Sequence, residues 1–144
     1  MTREESEIRA LLEERVQATR AKDTEAAVRP YAHDVVNLTL APPLAQRGSE
    51  ATDPEGIRQW FATWDGPIGL EFSEISIRVE DSIVFAFGLV HMSGKRAEGA
   101  DTDVWARSTV CFEKRGCEWK IVHEQTSFPM RMDGSEKAAT GLRP

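Results

Sequence analysis

The sequence predicts an α+β fold in which the first half is helical and the second half forms a sheet. Apolar residues recur at helical spacing in three segments before residue 65, and from Leu70 to Phe128 they alternate with polar residues in four runs. Because a domain averages about 150 residues, the 144 residues correspond to one domain. We therefore expect three helices packed in a curved antiparallel sheet over residues 1–128, followed by a polar tail over 129–144.

Capping residues mark the beginning of the first two predicted helices. Thr2 and Glu5 form a capping box before apolar residues that recur at helical spacing to about residue 20. Asp23 or Thr24 can cap a short second helix. Pro30 should disrupt or end that helix, because proline has no amide hydrogen to donate.

The third predicted helix follows a strand and a loop. Residues 35–40 fit a strand, and 41–52 fit a mobile loop because they are polar and contain a proline pair and a glycine. Asp53 as N-cap and Pro54 at the first helical position begin the third helix. The apolar face of this helix consists of Ile57, Trp60, Phe61 and Trp64.

Two details of the alternating half bear on its shape. The alternation changes phase after Phe72, which predicts a β-bulge near Ser73 and Glu74 and a bend in the first long strand.

The last two strands have large apolar residues on both faces, so the face that does not pack on the helices needs a second cover. We expect that cover to be a second copy of the chain, in a homodimer through the outer sheet face.

The composition argues against several classes of function. The chain has 18 Lys and Arg against 24 Asp and Glu, a net charge of −6, which disfavours nucleic-acid binding. No apolar run approaches the roughly 18 residues of a membrane span, and the first residues are too charged for a signal peptide. The two cysteines have neither metal-ligand nor disulfide spacing. We expect a cytoplasmic protein with no membrane partner, no metal and no other cofactor.

The last part of the alternating half resembles a known family. The sequence GCEWKIVHEQTSFP is similar to the Trp-Lys/Arg-Ile-Val-His-x-His-x-Ser pattern of the SnoaL-like branch of the nuclear transport factor 2 (NTF2-like) superfamily, with Gln125 in place of the second histidine. The resemblance implies a cone-shaped α+β barrel with a pocket at its wide end and dimers formed through the outer sheet face. The matching residues are Trp119, Lys120, Ile121, Val122, His123 and Ser127.

The ketosteroid isomerases of this superfamily provide a mechanism to test on the chain. They need an aspartate base, and a tyrosine and a protonated aspartate that donate to the dienolate oxygen. The resemblance places the tyrosine near Arg15, the base near Leu40 or Ala41, and the second aspartate near Ser108 or Thr109. None of these residues is an acid or a phenol. We therefore do not transfer the steroid-isomerase mechanism to this chain.

The predicted pocket centres on one carboxylate and one guanidinium side chain in the last hairpin. A turn at Arg115 and Gly116 would put Arg107 opposite Glu124, as cross-strand neighbours. Glu124 could then take a proton from a ligand while Arg107 holds the developing oxyanion. The alternatives are a structural ion pair and ligand binding without chemistry. The superfamily comparison puts this phase of both strands inside the cone: Trp105, Arg107, Thr109, Val122, Glu124 and Thr126.

Four further residues are candidates for the same pocket. Trp60 and Trp64 are first of all expected in the core, but they could also form a wall for a flat hydrophobic ligand. Tyr31, the only phenol, could orient a ligand at the mouth of the cone. His91 on the third strand from the end could reach the pocket as an acid or base.

Two functions remain open from the sequence. The first is a cofactor-independent SnoaL-like isomerase, cyclase or dehydratase that binds a small apolar metabolite and uses Glu124 and Arg107. The second is a non-catalytic module for ligand sensing or self-association. The fold alone does not distinguish between them.

Overall fold

The computed structural model describes all 144 residues, and the predicted order of helices and strands is present with two additions. The additions are a two-residue strand and a one-turn helix within the segment predicted as a loop. The elements are α1 (Arg3–Ala21), α2 (Thr24–Val28), β1 (Tyr31–Leu38), β2 (Gln46–Arg47), α3 (Ser49–Thr52), α4 (Pro54–Phe61), β3 (Gly69–Glu80), β4 (Ile83–Gly94), β5 (Thr102–Arg115) and β6 (Glu118–Ser127).

The helices begin where the capping residues predicted. Thr2 accepts a hydrogen bond from the amide of Glu5 at 3.1 Å, so α1 starts at the predicted cap. Asp23 and Asp53 cap α2 and α4 through their carboxylates. Each cap satisfies an amide that has no partner within its own helix. None of the helices is both long and apolar enough to cross a membrane.

The six strands form one curved sheet in the order β2-β1-β6-β5-β4-β3. Strands β3 to β6 make the predicted antiparallel meander. The sheet is nevertheless mixed, because β1 pairs with β6 in parallel. Parallel neighbours need a long connection, and here the connection consists of the intervening helices and the meander itself. This pairing brings the start of β1 next to the centre of β6.

The predicted bulge in β3 is present and explains its bend. The pairing of β3 with β4 shifts between Ser73 and Ser76, and Glu74 has a φ of 55°. Gly88 on β4 lies against this bulge. A Cβ on Gly88 would lie 2.8 Å from the carbonyl oxygens of both Ser73 and Glu74. The absence of a side chain therefore lets β3 approach β4 closely at the bend.

The main core lies between α1 and the inner face of the sheet. Ile8 and Leu12 of α1 pack against apolar side chains of five strands and α3 in one buried cluster. A smaller cluster joins Phe61, the last residue of α4, to Trp64 and Ile68 beyond the end of that helix. The buried residues of the main cluster are Ile8, Leu12, Val35, Ala51, Ile77, Val84, Ala86, Val110, Phe112, Trp119 and Ile121.

Residues 129–144 are polar and mostly exposed, but they do make specific contacts. Met130 and Ala138 form an isolated antiparallel bridge, and Ala139 is buried. Arg143 donates a hydrogen bond to the backbone oxygen of Asp103 on β5 at 3.2 Å. The tail therefore folds back onto the sheet without adding a regular element.

Candidate functional site

A cavity of about 420 Å³ lies between the helices and the inner face of the sheet. This volume is within the range of small-molecule sites, about 300–1,000 Å³. Every helix and every strand contributes to its lining, and about half of the lining residues are hydrophobic. Its larger apolar side chains are Ile57, Trp60, Phe61, Leu70, Phe72 and Met92.

Three polar side chains meet in the wall of this cavity. Arg15 Nη2 lies 2.7 Å from Glu124 Oε1, and the Tyr31 hydroxyl donates to Glu124 Oε2 at 2.7 Å. The same Nη2 also donates to the Tyr31 oxygen at 3.0 Å. The side chains of Arg15 and Glu124 are only 13% and 11% exposed. We call these three residues the Glu124 cluster.

The local structure explains how the three residues meet. Arg15 follows Ile8 by seven positions and Leu12 by three, so it extends from the buried stripe of α1. Tyr31 is the first residue of β1, which runs beside β6. Glu124 lies in the centre of β6 and pairs with Val110. The parallel pairing of β1 with β6 and the packing of α1 therefore assemble the cluster.

The ionisation of the cluster follows from its burial. Burial raises the pKa of Tyr31 above its usual 10.0, and the negative charge of Glu124 adds to this effect while Arg15 opposes it. Burial alone would lower the pKa of Arg15, but the charge and hydrogen bonds of Glu124 and Tyr31 hold that pKa above its ordinary value. At neutral pH Tyr31 is thus a neutral donor and Arg15 a cation, and both donate hydrogen bonds to Glu124.

The contacts of Arg15 are concentrated on one guanidinium nitrogen. Nη2 bonds to both Glu124 and Tyr31, while Nη1 is buried without a hydrogen-bond partner. The ion pair is therefore not the two-bond fork that arginine and a carboxylate often form. Arg15 is fixed by a single point of contact with the carboxylate.

Comparison with known families identifies the fold to which this geometry belongs. Residues 8–131 match the family described as SnoaL-like domain. The chain belongs to the SnoaL-like family. Among curated proteins, no relative matches the chain.

Solved structures support the NTF2-like fold of this SnoaL-like chain. An NTF2-like protein of unknown function from Pseudomonas putida KT2440 is 27% identical, with a TM-score of 0.87 over 100% of this chain and 99% of that one. An NTF2-like superfamily protein from Salmonella enterica is 17% identical, with a TM-score of 0.76 over 92% and 95%. A protein from Novosphingobium aromaticivorans, named provisionally as a scytalone dehydratase, is 16% identical, with a TM-score of 0.76 over 98% and 95%. The last two likenesses show the fold alone.

The predicted register of the last hairpin was wrong. Arg107 lies opposite Ser127 rather than Glu124, and it donates to the Ser127 hydroxyl at 3.1 Å on the exposed side. The pairing shifts beside Cys111, so Val122 is an extra residue in β6. An extra residue reverses the faces that follow it, so Glu124 lies on the inner face while Arg107 lies on the outer one.

The structure places the other predicted site residues in two groups. Tyr31, Trp60 and Thr126 line the cavity together with Glu124. Trp64 is buried in the second core cluster, with the guanidinium of Arg96 4.1 Å from the centre of its ring. The structure does not bring the remaining predicted residues to this cavity, whose lining lacks Trp64, His91, Trp105, Arg107, Thr109 and Val122.

His91 and Trp105 instead belong to the outer face of the sheet. Their rings stack with centroids 4.6 Å apart and planes inclined by 5°. His91 Nε2 lies 2.6 Å from Asp103 Oδ1, and this contact lowers the pKa of Asp103. Thr109 is on the same face, opposite Phe87. These residues can act at an outer surface but do not reach the cavity.

Arg15 is the residue that sequence reasoning missed, although two signals pointed to it. It is a charged residue beside the buried positions Leu12 and Val16 of α1. The superfamily resemblance also placed a pocket residue near Arg15, and further ones near Leu40 or Ala41 and near Ser108 or Thr109. The cavity lining includes Arg15, Leu40, Ala41 and Ser108. The resemblance therefore located the pocket even where the residue types differ.

No group of three or more His, Cys, Asp and Glu side chains lies close enough to hold a metal ion. The chemistry of the buried part of the cavity wall is that of one carboxylate, one guanidinium and one phenol, with hydroxyls from Ser108 and Thr126 nearby on paired positions of β5 and β6. Such groups can transfer a proton or orient an oxygen-bearing ligand.

Proposed function

We propose that this SnoaL-like protein binds a small, largely apolar molecule in the cavity and transfers a proton on it through Glu124. The observation that carries the proposal is the Glu124 cluster in the wall of a cavity whose remaining surface is about half apolar. A buried carboxylate beside a ligand-sized cavity is a common arrangement for acid–base chemistry.

The proposed roles follow from the contacts. Glu124 is the base, because it is the one carboxylate of the cavity that is buried. Arg15 holds Glu124 in place through the 2.7 Å contact. Tyr31 retains its proton and donates a hydrogen bond to Glu124 in this structure; once Glu124 has taken the ligand proton, the Tyr31 hydroxyl can turn to donate a hydrogen bond to oxygen charge that develops on the ligand. Arg15 and Tyr31 thus replace Arg107 in the mechanism expected from the sequence.

These roles fit an isomerisation, a cyclisation or a dehydration. Each reaction can begin with removal of a proton from a carbon next to a carbonyl, and none requires a redox cofactor. In an isomerisation or a cyclisation the carboxylate then returns the proton elsewhere on the ligand; in a dehydration it gives the proton to the departing hydroxyl group, which leaves as water. In each case the protein has no net gain or loss of protons. The fold is shared by proteins of many activities and does not select one of the three reactions.

A second candidate is ligand binding without catalysis. The observation that favours it is the Glu124 cluster itself, because both carboxylate oxygens of Glu124 are already bonded, one to Arg15 and one to Tyr31. In this case Glu124 and Tyr31 would orient a ligand hydroxyl and no bond would change.

One experiment distinguishes the two candidates. Native mass spectrometry with a metabolite extract identifies a bound compound, which is then incubated with the protein in heavy water. Proton transfer predicts deuterium incorporation or turnover by the wild type and its loss in Glu124→Gln, with Tyr31→Phe reduced. Binding without any exchange by the folded wild type would contradict the catalytic role and favour the second candidate. Glu14→Gln, the same change at an exposed position of α1 outside the cavity, is the control.

We further propose that two chains associate through the outer face of the sheet. Phe85 and Phe87 on β4 are 43% and 39% exposed, with ring centroids 6.0 Å apart, and Ile83 beside them is 44% exposed. Three large apolar side chains in a row on one strand form the kind of patch that is commonly covered in an assembly. A second copy would cover this patch without contacting the cavity lining, to which β4 contributes Val90 and Met92 from its opposite face.

A further inference from the structure

More acidic than basic side chains line the cavity. The lining contains three carboxylates, from Glu50, Asp53 and Glu124, and one cation, Arg15. It contains no lysine or histidine. Arg15 is already paired with Glu124 at 2.7 Å. The cavity therefore offers an incoming ligand no cation without a counter-charge, although Nη1 of Arg15 keeps N–H groups that a neutral ligand oxygen can accept from.

A ligand charge beside the buried wall of the cavity is energetically unfavourable. The ion pair of Arg15 and Glu124 is largely shielded from water and is neutral as a unit. An anionic group placed beside it would lose its own hydration without gaining a free counter-charge. If Arg15 turned toward the ligand, Glu124 would remain as a buried, unpaired anion, which is also unfavourable.

The exposed part of the lining acts in the same direction. Glu50 on α3 and Asp53 before α4 are exposed, and both are acids. Asp53 accepts a hydrogen bond from the amide of Glu55, so it is held at the start of α4. Two negative charges at the rim repel an approaching anion, although water and salt weaken the effect.

Uncharged polar groups are available at the same wall. Ser108 and Thr126 lie on directly paired positions of β5 and β6, and both line the cavity. Their hydroxyls can donate to or accept from a ligand oxygen without adding charge. Trp60, Phe61 and Phe72 provide flat apolar surface for the rest of the ligand.

We propose that the cavity takes an uncharged, ring-bearing molecule with a hydroxyl or carbonyl group and rejects carboxylates, phosphates and sulfonates. This inference rests on the proposed function, because it names the class of ligand for the same cavity. The selection arises from the paired state of Arg15 and from the acids at the rim.

The test uses ligands that share one ring system and differ in charge. N-phenylnaphthylamine, an uncharged dye that fluoresces in apolar sites, reports whether the cavity of the 144-residue chain is occupied. Naphthol, naphthoate and naphthylmethylammonium then compete with the dye at neutral pH. We expect naphthol to displace the dye. Naphthoate should bind at least about tenfold more weakly than naphthol, because its charge is left unpaired. Equal or tighter binding of naphthoate would overturn the inference while leaving the pocket itself in place.

A charge added to the lining should reverse the preference. Gln46 lines the cavity from β2, and Gln46→Lys supplies the missing free cation. The variant should bind naphthoate several-fold more tightly and naphthol nearly as before. Gln17→Lys makes the same change on the exposed side of α1, outside this cavity, and should change neither affinity. An increase in naphthoate affinity in both variants would contradict the assignment to the cavity.

Failure of the proposed function has a different signature. If neither the dye nor any of the three competitors binds to the folded wild type, the cavity is not a site for apolar ring compounds. That result would remove both the proposed function and the inference that rests on it.

Discussion

The hydroxyl of Tyr31 donates a 2.7 Å hydrogen bond to Oε2 of Glu124, which is 93 positions later in the chain. The bond joins the beginning of β1 to the centre of β6, and Arg15 of α1 completes it from the other side. Three separate elements must therefore be in place before the cluster exists. The cluster is in this sense a product of the tertiary fold, and its ionisation should report the integrity of that fold.

The alkaline titration of Tyr31 tests this dependence. Burial raises the pKa of Tyr31 above its usual 10.0, so the folded chain holds the phenolic proton more tightly than the unfolded chain does. The free energy of unfolding should therefore be unaffected by Tyr31 below pH 10.0 and should decrease above it, until the folded form also ionises. Tyr31 is the single tyrosine of the chain, so tyrosinate absorbance in the ultraviolet reports it alone.

The expected result is that tyrosinate absorbance rises only when circular dichroism shows unfolding. Tyr31→Phe should lack the absorbance change and should lose stability less steeply above the same pH. Tyrosinate that forms near the usual pKa in a chain that is still folded would contradict the burial of Tyr31.

The ion pair of Arg15 and Glu124 predicts a strong coupling between the two residues. Because both side chains are largely buried, Glu124→Gln leaves an unpaired guanidinium and should lower the free energy of unfolding by about 3–5 kcal/mol. Combining it with Arg15→Met removes the stranded charge and should restore most of the loss. Urea denaturation of the single and double variants measures the coupling.

Substitution of the exposed ion pair of Arg58 and Glu55 is the control for this experiment. Glu55→Gln breaks a pair whose side chains are more than half exposed, so it should change the free energy of unfolding by no more than about 1 kcal/mol. Additive effects of Arg15→Met and Glu124→Gln would show that the buried pair does not couple.

The features that could be predicted from the sequence are those encoded by neighbouring residues. The caps at Thr2, Asp23 and Asp53 need only a side chain and an amide a few positions away. The bulge in β3 could be predicted because the alternation of polar and apolar residues changes phase after Phe72. In both cases the local pattern and the tertiary structure agree.

The features that could not be predicted depend on pairing between distant segments. The extra residue in β6 is Val122, which is apolar like Ile121 before it, so the alternation gives no sign of a bulge. This one residue moved Arg107 to the outer face and left Glu124 inside. The parallel pairing of β1 with β6 could not be predicted either, because no residue within β1 indicates which strand it will pair with. Arg15 consequently replaced Arg107 as the partner of Glu124.

Gly88 should be essential for the bend of β3. A methyl group there would lie 2.8 Å from two backbone oxygens of the bulge, and backbone cannot move aside as a flexible side chain can. Gly88→Ala should therefore lower the free energy of unfolding by about 1–3 kcal/mol. Gly56 in α4 has no atom within 4 Å of the added methyl position, so Gly56→Ala should raise stability by about 0.5–1 kcal/mol. Thermal denaturation of the two variants gives the comparison, and similar midpoints would show that β3 does not approach β4 closely at Gly88.

The apolar patch on β4 predicts how two chains associate. Phe87 lies on the outer face between Ser76 and Thr109, which carry no charge that could pair with a new acid. Phe87→Glu should therefore place an unpaired charge in the interface and shift the chain from dimer to monomer in sedimentation equilibrium. Leu44→Glu makes a similar change at a side chain that is 97% exposed and lies in the loop after β1, so this control should remain dimeric. A wild type that sediments as a monomer, or a Phe87→Glu variant that remains a dimer, would contradict association through this face. Loss of the dimer in Phe87→Glu with a circular dichroism spectrum like that of the wild type would show that the patch serves assembly, since the inner core and the Glu124 cluster lie on the other side of the sheet.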